Sequence, residues 1–136
     1  MREILFRGKN YDGEWFEGLL VKCRDGEYMI DIGHHGSSVY KTVIPETIGQ
    51  YTGMTDRNGK KIFEGDLVNV ERCEGWNWSG PATYESPIVE VEWNEGAAGF
   101  TPFCIYDCDC GIYYFAVDVE VIGNIHDNPE LLEDAK

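Results

Sequence analysis

The stretch that decides the fold class is Ile88-Val89-Glu90-Val91-Glu92-Trp93. Apolar and acidic residues alternate along it, so Val89, Val91 and Trp93 share one face of an extended chain while the two glutamates share the other. This two-residue period is typical of a strand with one face in a core and one face in water. The stretch therefore predicts a half-buried β-strand.

The same period recurs in three other parts of the chain, each with polar or acidic residues between the apolar ones. The apolar members are Tyr28, Ile30 and Ile32, then Val68 and Val70, then Val117, Val119 and Val121. We therefore expect an almost entirely β chain, folded as a small barrel or sandwich. Its predicted core residues are Val68, Val70, Val89, Val91, Trp93, Val119 and Val121.

Glycine-containing turn signals separate these segments. Asp12-Gly13, Asp25-Gly26 and Asn58-Gly59 each place glycine where the backbone φ is positive in hairpin turns. Glu64-Gly65-Asp66 predicts a tight turn in which the aspartate bonds nearby backbone amides. We expect short hairpins throughout.

Helical signals are confined to the C-terminus. Asn128 suits a helix cap, Pro129 suits the first helical position, and Glu130 complements the positive end of the helix dipole. One short helix over Asn128 to Leu132 is expected. No repeat or low-complexity linker divides the chain, so residues 1–136 are predicted to form a single domain.

The charge balance excludes two classes of partner. The 136 residues include 11 Lys and Arg against 25 Asp and Glu, a formal net charge of -14. Phosphate backbones and anionic membranes attract basic proteins, so direct binding to nucleic acid or membrane is not expected. No apolar run approaches the roughly 18 residues of a membrane-spanning helix, and we expect a cytoplasmic protein.

The cysteines form an odd set of five, which favours reduced thiols over a disulfide framework. Three of them cluster at Cys104, Cys108 and Cys110, with His34 and His35 as further potential ligands. Structural zinc usually joins two close ligand pairs, and this cluster has no matching second pair. We expect no metal.

Catalytic signals are weak. His34 and His35 precede two serines, but the flanking Gly33 and Gly36 indicate an exposed hairpin tip rather than a nucleophile with its base. The chain has neither a GxxxxGK[ST] loop nor a GxGxxG fingerprint, which argues against nucleotides. We expect no catalytic residues and no cofactor.

Residues 74–87 are the main irregular stretch and are predicted to form a long loop. Trp76, Trp78 and Tyr84 lie in it and are candidate binding residues, although the tryptophans could instead cover the core or an oligomer interface. The chain contains 18 aromatic residues, more than a small β core readily encloses. Surface aromatic residues and open strand edges together predict homo-oligomerisation.

Three blocks of the sequence carry a family resemblance. They are residues 43–68, from Val-Ile-Pro-Glu-Thr to Glu-Gly-Asp-Leu-Val, residues 119–132, which contain Ile-Gly-Asn-Ile-His-Asp-Asn-Pro, and the opening Ile-Leu-Phe-Arg-Gly-Lys with Asp-Gly-Glu-Trp. In this order they resemble the YopX family of bacteriophage and prophage proteins. The resemblance implies a mostly β protein with an SH3-like or related barrel. It implies no assigned activity and no functional residue.

These observations favour a phage or prophage accessory protein that is not an enzyme and that binds another protein or itself. One alternative is a nucleic-acid mimic, whose carboxylates take the place of phosphates in the basic groove of a DNA-binding protein. Another is an enzyme with a pocket that combines His34 or His35 with a cysteine or an acidic group.

Overall fold

The computed structural model describes residues 4–33, 36–77, 80–84, 88–95, 99–101, 105–107 and 112–134. The chain forms two compact units, Met1–Gly53 and Met54–Lys136. The expectation of a single domain over residues 1–136 stays a prediction. No helix in the described part of the chain is both long enough and apolar enough to span a membrane.

The first unit is an antiparallel sheet with the strand order β4-β3-β2-β1-β5. Its strands are β1 (Phe6–Lys9), β2 (Trp15–Lys22), β3 (Tyr28–Asp31), β4 (Tyr40–Val43) and β5 (Gly49–Thr55), and a 3₁₀ turn at Pro45–Thr47 precedes β5. Two turns predicted from sequence form here, with φ of 88° at Gly13 and 90° at Gly26.

The sheet of the first unit has a small core on one face. Ile30 and Val43 are fully buried, and Gly8 lies so close to Val43 that a Cβ atom at position 8 would overlap that side chain. Thr47 closes this corner, because its hydroxyl accepts a bond from the backbone N–H of Lys9 at 2.9 Å and donates one to the carbonyl of Ile44 at 2.6 Å.

The second unit contains the remaining strands and the helix. They are β6 (Lys61–Phe63), β7 (Asp66–Asn77), β8 (Gly80–Tyr84), β9 (Ile88–Glu90), β10 (Glu92–Asn94), β11 (Gly99–Thr101), β12 (Ile105–Asp107), β13 (Ile112–Asn124) and α1 (Pro129–Asp134). One sheet has the order β12-β13-β7-β8, with β9 also paired to β7, and β10 forms a hairpin with β11. The Asn58-Gly59 turn predicted from the sequence precedes β6, with a φ of 82° at Gly59.

The core of the second unit confirms most of the predicted core residues. Val68, Val70, Val91 and Val119 are buried, and Val89 and Val121 pack against them. Ile62 and Phe100 complete the cluster.

Trp93 was wrongly predicted to be a core residue, because 49% of it is exposed. The predicted strand is interrupted at Val91, whose N–H donates to the carbonyl of Asp66 and whose carbonyl accepts from Gly65. Trp93 lies opposite Phe100 in the β10–β11 hairpin, and the two rings pack edge to face with their centroids 5.2 Å apart.

The predicted loop over residues 74–87 is also wrong. Strand β7 continues to Asn77 and pairs with β8, so that Trp76 lies opposite Pro81 in the register. Proline lacks the N–H of a central strand, but β8 ends the strand order on that side, where proline is tolerated.

The prediction of an all-β chain with one short C-terminal helix is confirmed. Strands make up 56% of the structure. The antiparallel sheets of the described residues are not closed into a barrel, so the expected barrel geometry is absent from that part of the chain. The pairing of β13 with β7 is irregular near its end, with a register shift between Val121 and Gly123.

Candidate functional site

The structure separates the residues that the sequence singled out for binding. Trp76 lies in β7 and Tyr84 in β8, but Tyr84 is paired with Cys73, so the two aromatic residues are not cross-strand partners. Trp78 lies outside the described residues. Binding through these aromatic residues therefore stays a prediction, and two of the three lie in a hairpin rather than in a loop.

Most of the cysteine and histidine residues considered as metal ligands or catalytic groups also lie outside the described residues. Cys104, Cys108 and Cys110 lie outside the described residues, as do His34 and His35. Among the residues that are described, no group of three or more His, Cys, Asp or Glu side chains is arranged to hold a metal ion. The thiol of Cys23 is free and half-buried.

A different surface stands out at the β4 side of the first unit. Strand β4 ends the strand order there, and three apolar side chains beside it are solvent-exposed: Leu19 (58%), Tyr40 (52%) and Val39 (43%). The register pairs Leu19 with Asp31 and Asp31 with Tyr40. Because directly opposed residues point to the same side of a sheet, Leu19, Asp31 and Tyr40 form one row across β2, β3 and β4.

No strand among the described residues pairs with the outer side of β4, whose backbone is open there over a short length. Ile32 donates its N–H to the carbonyl of Val39 at 2.8 Å, which fixes the alternation of inward and outward groups. In an antiparallel pair this alternation turns the N–H and C=O of Tyr40 and Thr42 away from β3. The next outward residue, Ile44, already donates to a carbonyl at the end of β1 at 2.8 Å. The open edge is therefore the segment ending at Thr42.

Asp31 fixes the position of this edge. Its Oδ1 accepts hydrogen bonds from the backbone N–H of Gly33 at 2.9 Å and of Val39 at 3.0 Å. The side chain thus bridges the start and the end of the loop that leads into β4. A Cβ atom at Gly33 would overlap the carbonyl of Ser37, so only glycine fits that close approach. Asp31 is a structural acceptor.

A shallow depression of about 220 Å³ adjoins this row of residues. It is lined by Leu5, Leu19, Ile32, Glu17, Asp31 and two glycines. Sites for drug-sized ligands usually have volumes of roughly 300–1,000 Å³, so this depression is the size of a single side chain. Chemically, the surface offers a strand edge, a patch of apolar side chains and a small acidic depression. We call the exposed segment Ser38–Thr42 with Leu19 and this depression the β4 surface.

Sequence reasoning missed the β4 surface. Leu19 belongs to the apolar run Leu19-Leu20-Val21 within β2, and the alternation of a strand requires that one side of such a run face outward. That run is the signal that could have drawn attention to Leu19. Nothing local in the sequence, however, identifies β4 as the last strand of its sheet.

Charge is unevenly divided between the two units. Residues 1–53 contain six Lys and Arg against eight Asp and Glu, whereas residues 54–136 contain five against seventeen. In the second unit, desolvation by partial burial, a hydrogen bond that protonated Glu90 donates to Glu92, and the charges of Glu92 and Glu64 raise the pKa of Glu90 to about 7. Most of the excess negative charge therefore lies in the second unit, where some carboxyl groups are close neighbours.

Comparison with known proteins gives three findings. A family model described as "YopX protein" matches residues 5–133. A protein named acylphosphatase from Pelotomaculum thermopropionicum is 37% identical over 57 residues, which are 42% of this chain and 62% of that protein, so the match spans less than two thirds of the relative. The crystal structure of protein EF1440 from Enterococcus faecalis is similar, with a TM-score of 0.49 and 24% identity, over 97% of this chain and 99% of that one.

Proposed function

This chain belongs to the YopX protein family, and from that premise we propose that it is a cytoplasmic phage or prophage accessory protein that binds another protein rather than catalysing a reaction. The family match covers almost the whole chain, so the proposal applies to both units. The proposed mode of action rests on the β4 surface of the first unit.

The observation that carries the proposal is the coincidence of an open strand edge with exposed apolar side chains. Leu19 and Tyr40 lie in one cross-strand row, and Val39 precedes the edge strand. Isolated exposed apolar residues are common on soluble proteins and need no explanation. An exposed strand edge beside several of them is unusual, because it invites pairing with other chains, and such a patch is typical of a protein interface.

Affinity capture from cells that natively carry the gene tests this proposal. Tagged wild-type protein is expected to retain a specific partner, identified by mass spectrometry, and the Leu19→Ser/Tyr40→Ser variant is expected to lose most of it. The matched control is Tyr11→Ser, because Tyr11 is 76% exposed but lies in the β1–β2 turn. Equal capture by all three proteins would contradict a role for the β4 surface, and no reproducible partner would contradict the proposed function.

The distribution of charge favours a second candidate, the nucleic-acid mimic. The second unit, with seventeen acidic residues against five basic ones, is the part that would occupy a basic groove. Competition experiments test it: a mimic would displace labelled DNA from a DNA-binding protein of the same cell, with an effect that weakens as salt is added. Under our main proposal the protein displaces no DNA.

The partial similarity to a protein named acylphosphatase favours an enzymatic alternative, the hydrolysis of an acyl phosphate. Incubation with benzoyl phosphate tests it directly. Hydrolysis at a rate that scales with protein concentration would support the enzyme, whereas our proposal expects no hydrolysis above the buffer rate.

Binding through Trp76, Trp78 and Tyr84, and homo-oligomerisation, remain proposals of the same class. The β7–β8 hairpin supports the first only by keeping two of these aromatic residues on neighbouring strands. Light scattering as a function of protein concentration tests the second.

A further inference from the structure

We infer that the β4 surface takes up an extended, positively charged peptide segment of the partner, which adds a strand to the sheet of the first unit. This inference rests on the proposed protein-binding function and specifies its ligand. It follows from three properties of the surface: the direction of its backbone groups, the row of side chains beside it and its charge.

The backbone determines that the ligand is extended. The outward N–H and C=O groups of Tyr40 and Thr42 are spaced two residues apart, as in the edge of any antiparallel sheet. Groups in this arrangement are matched by the backbone of another strand, and main-chain bonds of this kind supply affinity in peptide recognition by strand addition. A helical or globular ligand would leave its own backbone groups paired internally and could not use them.

The side chains beside the edge indicate which face of the bound peptide they would contact and so recognise. A strand added outside β4 continues the row Leu19–Asp31–Tyr40, so one of its residues lies beside the Tyr40 ring. The depression lies at the β2–β3 part of the same row and accommodates one side chain. A long side chain that crosses the exposed ring of Tyr40 would reach towards it.

The charge determines the sign of the ligand. Glu17 and Asp31 place two carboxyl groups at the depression, and residues 1–53 carry eight Asp and Glu against six Lys and Arg. The nearest basic residue of the edge strand, Lys41, belongs to the opposite face, where its ammonium lies 5.7 Å from the centre of the Phe16 ring. A basic segment is therefore attracted, whereas a second copy of this acidic chain is repelled.

The test is a titration of isotope-labelled protein with a ten-residue peptide of alternating valine and lysine, followed by amide chemical shifts. The largest shifts are expected at Ser38, Tyr40 and Thr42. Thr42→Pro removes one outward N–H without removing a bond to β3, and we expect it to weaken binding by about tenfold. The matched control is Thr42→Val, which keeps the N–H and is expected to bind like the wild type.

Two peptide controls separate strand addition from simple charge attraction. A peptide with N-methylated valines keeps its charge but loses backbone donors, and one of alternating valine and glutamate reverses the charge; both are expected to bind at least about tenfold more weakly. If Thr42→Pro does not fold, Leu19→Ser with Tyr40→Ser provides the same comparison through the side chains.

Several results would overturn the inference. They are no binding of the valine-lysine peptide, equal binding of its N-methylated form, shifts centred on Glu90 and Glu92 of the second unit, or concentration-dependent shifts at Tyr40 without peptide, which would indicate self-pairing. If affinity capture finds a partner whose binding is unchanged in Thr42→Pro, the strand-addition inference fails while the proposed protein-binding function stands.

Discussion

Asp56 shows how one carboxylate fastens a hairpin turn to a distant strand. It is buried, with 7% exposure, and its Oδ1 accepts the N–H groups of Asn58 and Lys60 at 2.9 Å while its Oδ2 accepts that of Val121 at 3.0 Å. Burial acts to raise the pKa of Asp56, but the bonds from Val121, Lys60 and Asn58 and the charge of Lys60 outweigh it and hold the pKa below the usual value.

We predict that Asp56→Asn lowers the free energy of unfolding at neutral pH by about 1–3 kcal/mol, because an amide group cannot accept all three bonds. A lowered folded-state pKa means that the stabilisation is present above the ordinary value of 3.8 and is lost as the pH falls through the folded value. Urea unfolding of both proteins across this range checks it. A difference that persists unchanged to the lowest pH would contradict the assignment.

Glu90 behaves in the opposite way. Its pKa is raised to about 7 by desolvation and by the neighbouring Glu92 and Glu64, so the folded protein keeps a proton that the unfolded chain releases above the ordinary pKa of 4.5. The favourable contribution of this proton is complete below that value and disappears as the pH rises through about 7.

We therefore predict that Glu90→Gln stabilises the protein above neutral pH, on the order of 1 kcal/mol once solvent screening is allowed for, and has little effect in mildly acidic buffer. Chemical unfolding at both pH values measures the difference. Glu95→Gln, which removes an equal charge at an exposed position of the same unit, is the control. Equal effects of the two substitutions would show that only total charge matters.

At the scale of the strands, Gly18 allows β2 and β3 to approach each other closely. A Cβ atom at this position would overlap the backbone carbonyl of Asp31 and crowd Ile30. Backbone cannot move aside as the end of a long side chain can. The β3 strand, with the aspartate that positions β4, therefore depends on a glycine in β2.

We predict that Gly18→Ala lowers the free energy of unfolding by about 1–3 kcal/mol through this overlap. The control is Gly26→Asn, because Gly26 has a φ of 90° with open space around it, and asparagine tolerates that conformation better than other residues do. Thermal unfolding followed by circular dichroism compares the two. A larger loss for Gly26→Asn would contradict this account of β2 and β3.

Local patterns predicted several of the strands and turns. The alternation around Val68, Val119 and Val121 and the glycines at Gly13, Gly26 and Gly59 depend on neighbours in sequence, and they appear as expected. The family resemblance that the sequence analysis rested on the three blocks is confirmed by a match over residues 5–133.

The predictions that were wrong concern features that depend on residues distant in the sequence. The break at Val91 requires Asp66, twenty-five residues away, to accept its N–H, and the strand at residues 74–77 requires β8 to pair with it. The β4 surface was missed for the same reason, because the edge position of Tyr40 follows from strand order and not from its neighbours. Trp78 lies outside the described residues, so its predicted role is untested.

For the whole molecule, the formal charge of -14 opposes folding by self-repulsion, and most of it lies in the second unit. Salt shortens the range of this repulsion, from roughly 30 Å at 0.01 M to about 8 Å at 0.15 M. We predict that this increase in salt raises the free energy of unfolding by about 1 kcal/mol at neutral pH.

The pH supplies the control for this salt effect. Near the sequence pI of about 4.4 the net charge is close to zero, so the same change in salt is expected to alter the free energy of unfolding much less. Urea titrations at the two pH values and two salt concentrations measure both effects. A salt effect of equal size at both pH values would show that repulsion of net charge is not its cause.

Site-specific photocrosslinking in cells that natively carry the gene tests the central claim most directly. A photoreactive phenylalanine analogue replaces Tyr40 at the β4 surface or, as a control, the more exposed Tyr11 in the β1–β2 turn. Our account predicts a covalent adduct between position 40 and a different protein, through a basic segment of that protein, and no such adduct at position 11. Adducts of equal yield at both positions, adducts only between copies of this chain, or none at position 40 would contradict it.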